Sequence, residues 1–132
     1  MDILLEAHSG LRWIVVLAGL LLLVWTAIVW LTKREDDALT SRLFAAYNAA
    51  LGIQFVLGLL YFILDGAQGA GYPLYRIEHF ITLLIAIAVA GIGGRWRGAV
   101  LNVRARNIFL TTLVSLILIY VGVARVPAGW SM

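Results

Sequence analysis

Four apolar runs, at about 11–32, 44–64, 76–94 and 108–124, constrain this chain more than any other feature of it. A helix rises about 1.5 Å per residue, so roughly 20 apolar residues cross a hydrocarbon layer of about 30 Å. Inside hydrocarbon the backbone finds no water, which leaves helices and closed barrels as the only spanning structures. Runs this long and this continuously apolar are helical. Composition agrees, because 63% of the 132 residues are hydrophobic and 13% charged, against about 25% charged in soluble domains. The sequence therefore predicts an all-α integral membrane protein, a single domain over residues 1–132, with four transmembrane helices. Short connections predict an up-down-up-down bundle.

The basic residues orient that bundle. Lys33, Arg34 and Arg42 fall between runs one and two, and Arg95, Arg97, Arg104 and Arg106 between runs three and four. Short loops rich in Lys and Arg stay cytoplasmic. Both termini and the connection at 65–75 are then expected on the outer, periplasmic side of a bacterial inner membrane. The net charge of +3 reflects topology and contact with anionic lipid, so no nucleic-acid partner is expected. The opening Met-Asp-Ile-Leu-Leu-Glu has no basic segment and no small-residue cleavage site follows run one, so the first span is expected to be retained. Trp13, Trp30, Trp96 and Trp130 fall near span ends, where an aromatic belt sits. Cysteine is absent, which excludes disulfides, thiolate metal sites and cysteine nucleophiles.

Each run carries a narrow stripe of polar or small residues. At helical spacing these are His8, Arg12, Gly19, Thr26 and Trp30 in run one, and Tyr47, Gln54, Gly58 and Tyr61 in run two. Run three offers His79, Thr82, Ala86 and Ala90, and run four Thr111, Ser115, Leu118, Gly122 and Arg125. Polar groups are costly in hydrocarbon and small residues let helices approach, so the stripes face the bundle interior. Asp37, Thr40 and Ser41 are candidate caps for the second helix. Pro73 suits the first position of the third.

The chain has two histidines, each at the head of an apolar run. If runs one and three are parallel, His8 and His79 reach similar depth near the outer face. A planar cofactor fits between two such imidazoles, and haem iron takes axial histidines. Arg12 follows His8 by four residues, Arg76 precedes His79 by three, and Arg125 ends the polar stripe of run four. These arginines match the anionic propionates of a haem. Their plainer role is to reach headgroups or to pair with Glu78 and Glu6 across helices. A metal site of Glu6, His8, Glu78 and His79 is disfavoured by spacing, since adjacent residues on a helix point about a quarter-turn apart. Tyr47, Gln54 and Tyr61 form a candidate quinone site.

The segments His8-Ser-Gly-Leu-Arg-Trp13, Ile53-Gln-Phe-Val-Leu-Gly-Leu-Leu-Tyr61 and Glu78-His79 resemble, in the same order, a group of small four-helix bacterial membrane proteins often labelled cytochrome b-like. The resemblance implies electron transfer. It also brings two departures: the group has a third histidine two residues before the glutamine of span two, where this chain has Gly52, and a proline after Glu-His, where it has Phe80.

The expectation is thus an inner-membrane electron carrier holding haem b through His8 and His79, with Arg12, Arg76 and Arg125 on the propionates and a quinone or a redox protein as partner. Gly19, Ala86 and Gly122 are expected to leave room for the ring or its neighbours. The alternative is a non-catalytic accessory subunit of a larger respiratory or photosynthetic membrane complex, or a homo-oligomer. Either role is favoured over that of a free-standing enzyme.

Overall fold

The computed structural model describes residues 2–33, 38–127 and 129–131, and every regular element among them is helical. Four long helices, α1 (Asp2–Thr32), α2 (Ala38–Asp65), α3 (Leu74–Ile92) and α4 (Leu101–Ala124), carry the fold. A π-helical turn at Gly66–Ala70 and a 3-10 turn at Gly93–Trp96 lie between them, and a 3-10 turn at Gly129–Ser131 follows α4. All four helices are long and apolar enough to cross a membrane.

The helices outrun the apolar runs. α1 begins at Asp2 because Ser9-Gly10 is too short a break to end a helix already carrying Ile3, Leu4 and Leu5. It stops where Lys33 takes φ 52°, the left-handed conformation that ends many helices. α4 begins at Leu101, before the apolar run, because Arg104 turns inward, is 7% exposed and donates from Nη2 to Ser41 Oγ at 3.0 Å. Of the expected caps of α2, Asp37 lies outside the described residues. Thr40 is inside the helix, and its hydroxyl accepts from Trp25 Nε1 at 3.0 Å instead of capping. Pro73 immediately precedes α3, with its carbonyl accepting from the Arg76 amide at 3.0 Å.

α1 lies against α2 and α4, and α3 against α4, while α2 and α3 touch least. α1 and α3 therefore stand across the bundle from one another. The interior seam of α1 is Arg12, Val15, Gly19, Leu22, Thr26 and Val29, and that of α4 is Ile108, Thr112, Ser115, Ile119 and Gly122. Steps alternate between three and four residues, which is the repeat of helices that wind gently about each other. The last turn departs from the expected stripe, with Val29 buried and Trp30 only partly so. Trp30 packs on Phe109 with ring centres 5.8 Å apart. Likewise Thr112 and Ile119 are buried where Thr111 and Leu118 were expected.

Midway along the seam a hydroxyl pair joins α2 to α4. Ser115 gives its proton to the Thr112 carbonyl at 2.8 Å, so Tyr47 is the donor to Ser115 Oγ at 2.7 Å. Tyr47 is fully buried and fits because Gly19 faces it. A Cβ at Gly19 would lie 2.7 Å from Leu116 Cδ2 and 2.8 Å from Tyr47 Cε1. The space at Gly19 is thus filled by neighbouring side chains. The buried Tyr47 ring leaves no room for two further methyl groups, so Gly19→Val is expected to cost about 1–3 kcal/mol by overpacking. Thermal unfolding in detergent, with the exposed Gly52→Val as control, measures it.

Candidate functional site

One end of the bundle gathers the first turns of α1 and α3 and the last turns of α2 and α4. Two glycines shape the connection between α2 and α3. Gly69 has φ 126° and Gly71 φ 69°, angles that side chains resist. The turn they permit brings Tyr72 back onto α2, where its hydroxyl donates to the Ile63 carbonyl at 3.1 Å and its ring covers Gly66. Arg76 completes the closure. Its guanidinium donates to Asp65 Oδ2 at 2.6 Å and to the Phe62 carbonyl at 3.0 Å.

Beneath this closure is a cavity of about 330 Å³, at the small end of the roughly 300–1,000 Å³ common for ligand pockets. All four helices line it, and the sparse contact between α2 and α3 leaves the space. Phe55, Phe62 and Phe80 make an aromatic wall across that gap, with Phe80 5.9 Å from Phe55 and 5.2 Å from Phe62 between ring centres.

His8 and His79 face each other in this cavity. Their ring centres are 6.3 Å apart and their planes nearly perpendicular, at 89°. His79 Nδ1 lies 2.7 Å from the Gly122 carbonyl of α4. A carbonyl only accepts, so Nδ1 carries the proton and Nε2 keeps its lone pair, the arrangement that prepares a histidine to ligate. His8 Nδ1 is buried beside the Gln54 backbone without meeting hydrogen-bond geometry. Ser9 Oγ and Gln54 Oε1 are also buried without a hydrogen-bond partner among the described residues. Each such atom costs about 1–3 kcal/mol unless something satisfies it. All three residues line the cavity.

Of the expected anion-binding arginines, two line the cavity and one does not. Arg12 is 6% exposed, donates from Nη1 to the Gly129 carbonyl at 3.1 Å, and lies 4.8 Å from the Trp13 ring centre and 5.6 Å from that of Trp130. It ties the segment after α4 to α1. Arg76 is committed to Asp65. Arg125 lies outside the cavity, its side chain 60% exposed and its Nε 3.6 Å from Glu78 Oε2. The pairs Arg12–Glu78 and Arg76–Glu6 do not form; Arg125 and Asp65 take those places. With Arg12 and Arg76 against Asp65, the lining still carries one net positive charge.

Among the described residues no three His, Asp, Glu or Cys side chains gather as a metal site, so the four-residue arrangement with Glu6 and Glu78 is not assembled. Of the candidate quinone group, Gln54 and Tyr61 line the cavity, but Tyr47 is sealed in the core. Gly122 and Ala86 make no cavity wall either. Gly122 is filled by Leu83 and Thr82, and Ala86 is buried in the core.

Asp65, the phenylalanine wall and the glycine contact described below were not expected from sequence. Gln54 was on the right stripe, but its bond to the His8 carbonyl, 2.7 Å from Nε2, joins residues 46 apart and has no local signature. Fold and site together define a class: a bundle of four helices long and apolar enough to cross a membrane, with two facing imidazoles in an end cavity. Comparison with known families, with curated proteins and with solved structures finds no match to this chain.

Proposed function

We propose that this protein is a four-span membrane protein that carries a b-type haem between His8 and His79 and passes single electrons. The observation that carries the reading is the imidazole pair. Rings this close, on helices that stand across the bundle, would let both imidazoles reach one metal-bearing group between them. Their ring centres are 6.3 Å apart, and the Gly122 carbonyl holds the His79 proton on Nδ1, leaving Nε2 able to ligate.

His8 and His79 would hold the iron, and Arg12 would offer charge to a propionate group, while Arg76 stays with Asp65. Arg125, outside the cavity, has no part in this arrangement. When bound, the haem supplies a centre that changes by one electron. The chain's own contribution would be to orient two imidazoles, exclude water with the phenylalanine wall, and keep one net positive charge in the cavity lining.

The exposed Ile14, Leu17, Val24 and Ile53 side chains favour a bilayer as the surrounding solvent. The orientation that follows from Lys33, Arg42, Arg95, Arg97 and Arg106 is up-down-up-down in a bacterial inner membrane, with the histidines near the periplasmic face. A second reading rests on Gln54 Oε1, a buried atom that can only accept. A quinol hydroxyl would satisfy it, and a haem offers no donor there.

Three measurements test these readings. Protein made with ample haem is expected to show a Soret band and one haem per chain, lost in His8→Ala and in His79→Ala. No band, or a band indifferent to both substitutions, sinks the haem reading. Should the quinol occupy the cavity instead, a short-tailed ubiquinol titrated against tryptophan fluorescence binds at least about tenfold tighter than its quinone; equal binding rejects this. Because cysteine is absent, Ala67→Cys and Gly98→Cys report orientation cleanly. A membrane-impermeant maleimide on intact cells is expected to label the first and reach the second only after lysis.

A further inference from the structure

We propose that α2, which supplies no histidine to the pair, sets the orientation of the His8 imidazole, with Gly58 as the positioning residue that admits the ring. The inference rests on the haem reading and deepens it.

His8 sits in the first turns of α1 and its ring reaches across to the other helices, so α1 alone does not hold the ring. Two contacts from α2 do. The Gln54 amide donates to the His8 backbone carbonyl at 2.7 Å, which fixes the main chain under the side chain. One turn further along the same face, Gly58 has no side chain where the imidazole lies. A Cβ there would stand 2.8 Å from His8 Cε1, 3.3 Å from Nδ1 and 3.5 Å from Nε2. The edge of the ring that bears both nitrogens therefore rests on the bare glycine surface.

A single methyl at this place collides with the ring, and the collision has one outlet. His79 is pinned to the Gly122 carbonyl on α4, so the His8 ring must turn or shift, and the separation and mutual angle of the two imidazoles change with it. The orientation of a ring that would hold the metal is what such a change alters, and partners that orient a ligand commonly matter by roughly 10–100-fold in metal affinity.

Gly52 provides the contrast within the same helix. It is exposed, with nothing within 4 Å of a Cβ built on it. Alanine is the better helix former at either position, so a loss seen only at Gly58 is steric and local. The same observation bears on the group resemblance. The position of that group's additional histidine faces away from the cavity here, and glycine at 52 leaves the His8–His79 pair intact.

The test compares Gly58→Ala, Gly52→Ala and Gln54→Leu in purified, haem-loaded protein. Gly58→Ala is expected to lower haem affinity roughly 10–100-fold and to lose the low-spin electron paramagnetic resonance signal of two axial imidazoles. Gln54→Leu shifts the same signal, and Gly52→Ala leaves it unchanged. In a His8→Gly background with free imidazole added, the ring finds its own orientation, so Gly58→Ala no longer reduces the low-spin fraction. If Gly58→Ala matches Gly52→Ala in affinity and spin state, the proposal is overturned. Wild-type protein that takes up no haem would reject the haem reading instead. The positioning contact is then read in haem-free protein labelled with 15N-histidine, where two histidines give two assignable ring signals. Gly58→Ala must move the His8 signals and Gly52→Ala must not; an unmoved His8 signal refutes the contact.

Discussion

A polar group inside an apolar bundle must find a partner among its own helices, and the end of this fold that holds the cavity is arranged by that need. Arg12 reaches the Gly129 carbonyl, Arg76 reaches Asp65 and the Phe62 carbonyl, His79 reaches the Gly122 carbonyl, and Gln54 reaches the carbonyl of His8. The Phe62 and Gly122 carbonyls lie in the last turns of α2 and α4 and that of Gly129 in the segment beyond, while the His8 carbonyl belongs to an early turn of α1. Carbonyls in the last turn of a helix lack intrahelical partners, so helix ends are where such side chains are most easily satisfied. The polar atoms left over, on His8, Ser9 and Gln54, all line one cavity. That concentration, more than the presence of two histidines, marks the cavity as a site.

The cavity exists because packing around the bundle is uneven. α1, α4 and α3 close on one another through small residues, with Gly19 against Tyr47 and Leu116 and Gly122 against Leu83. α2 and α3 meet mainly through rings, as Phe55 and Phe62 reach Phe80. Large rings hold backbones apart and small residues draw them together, so a bundle with both kinds of seam is tight on one side and open on the other. The turn at Gly66–Ala70 and the Arg76–Asp65 pair then join α2 to α3 above the gap.

Glycine has two roles in this bundle. At Gly19 and Gly122 it allows helix packing, and a side chain would disturb the core. At Gly58 it gives room to an imidazole that belongs to the site. Gly52, on the outer surface, has neither role. Sequence spacing alone does not separate these cases, since all four sit in apolar helices.

The sequence by itself determined the four helices, their approximate limits and the polar stripe of each, because apolar length and helical period are local properties. It also placed both histidines at helix starts. Tertiary structure decided the rest. It chose Val29 over Trp30 and Thr112 over Thr111 for the interior, because which of two adjacent residues turns inward depends on where the neighbouring helices lie. It gave Arg76 to Asp65 and sent Arg125 outward to Glu78, because pairing depends on which helices are neighbours. And it brought His8 within 6.3 Å of His79, a distance set by the packing of four helices and carried by no segment of the chain alone.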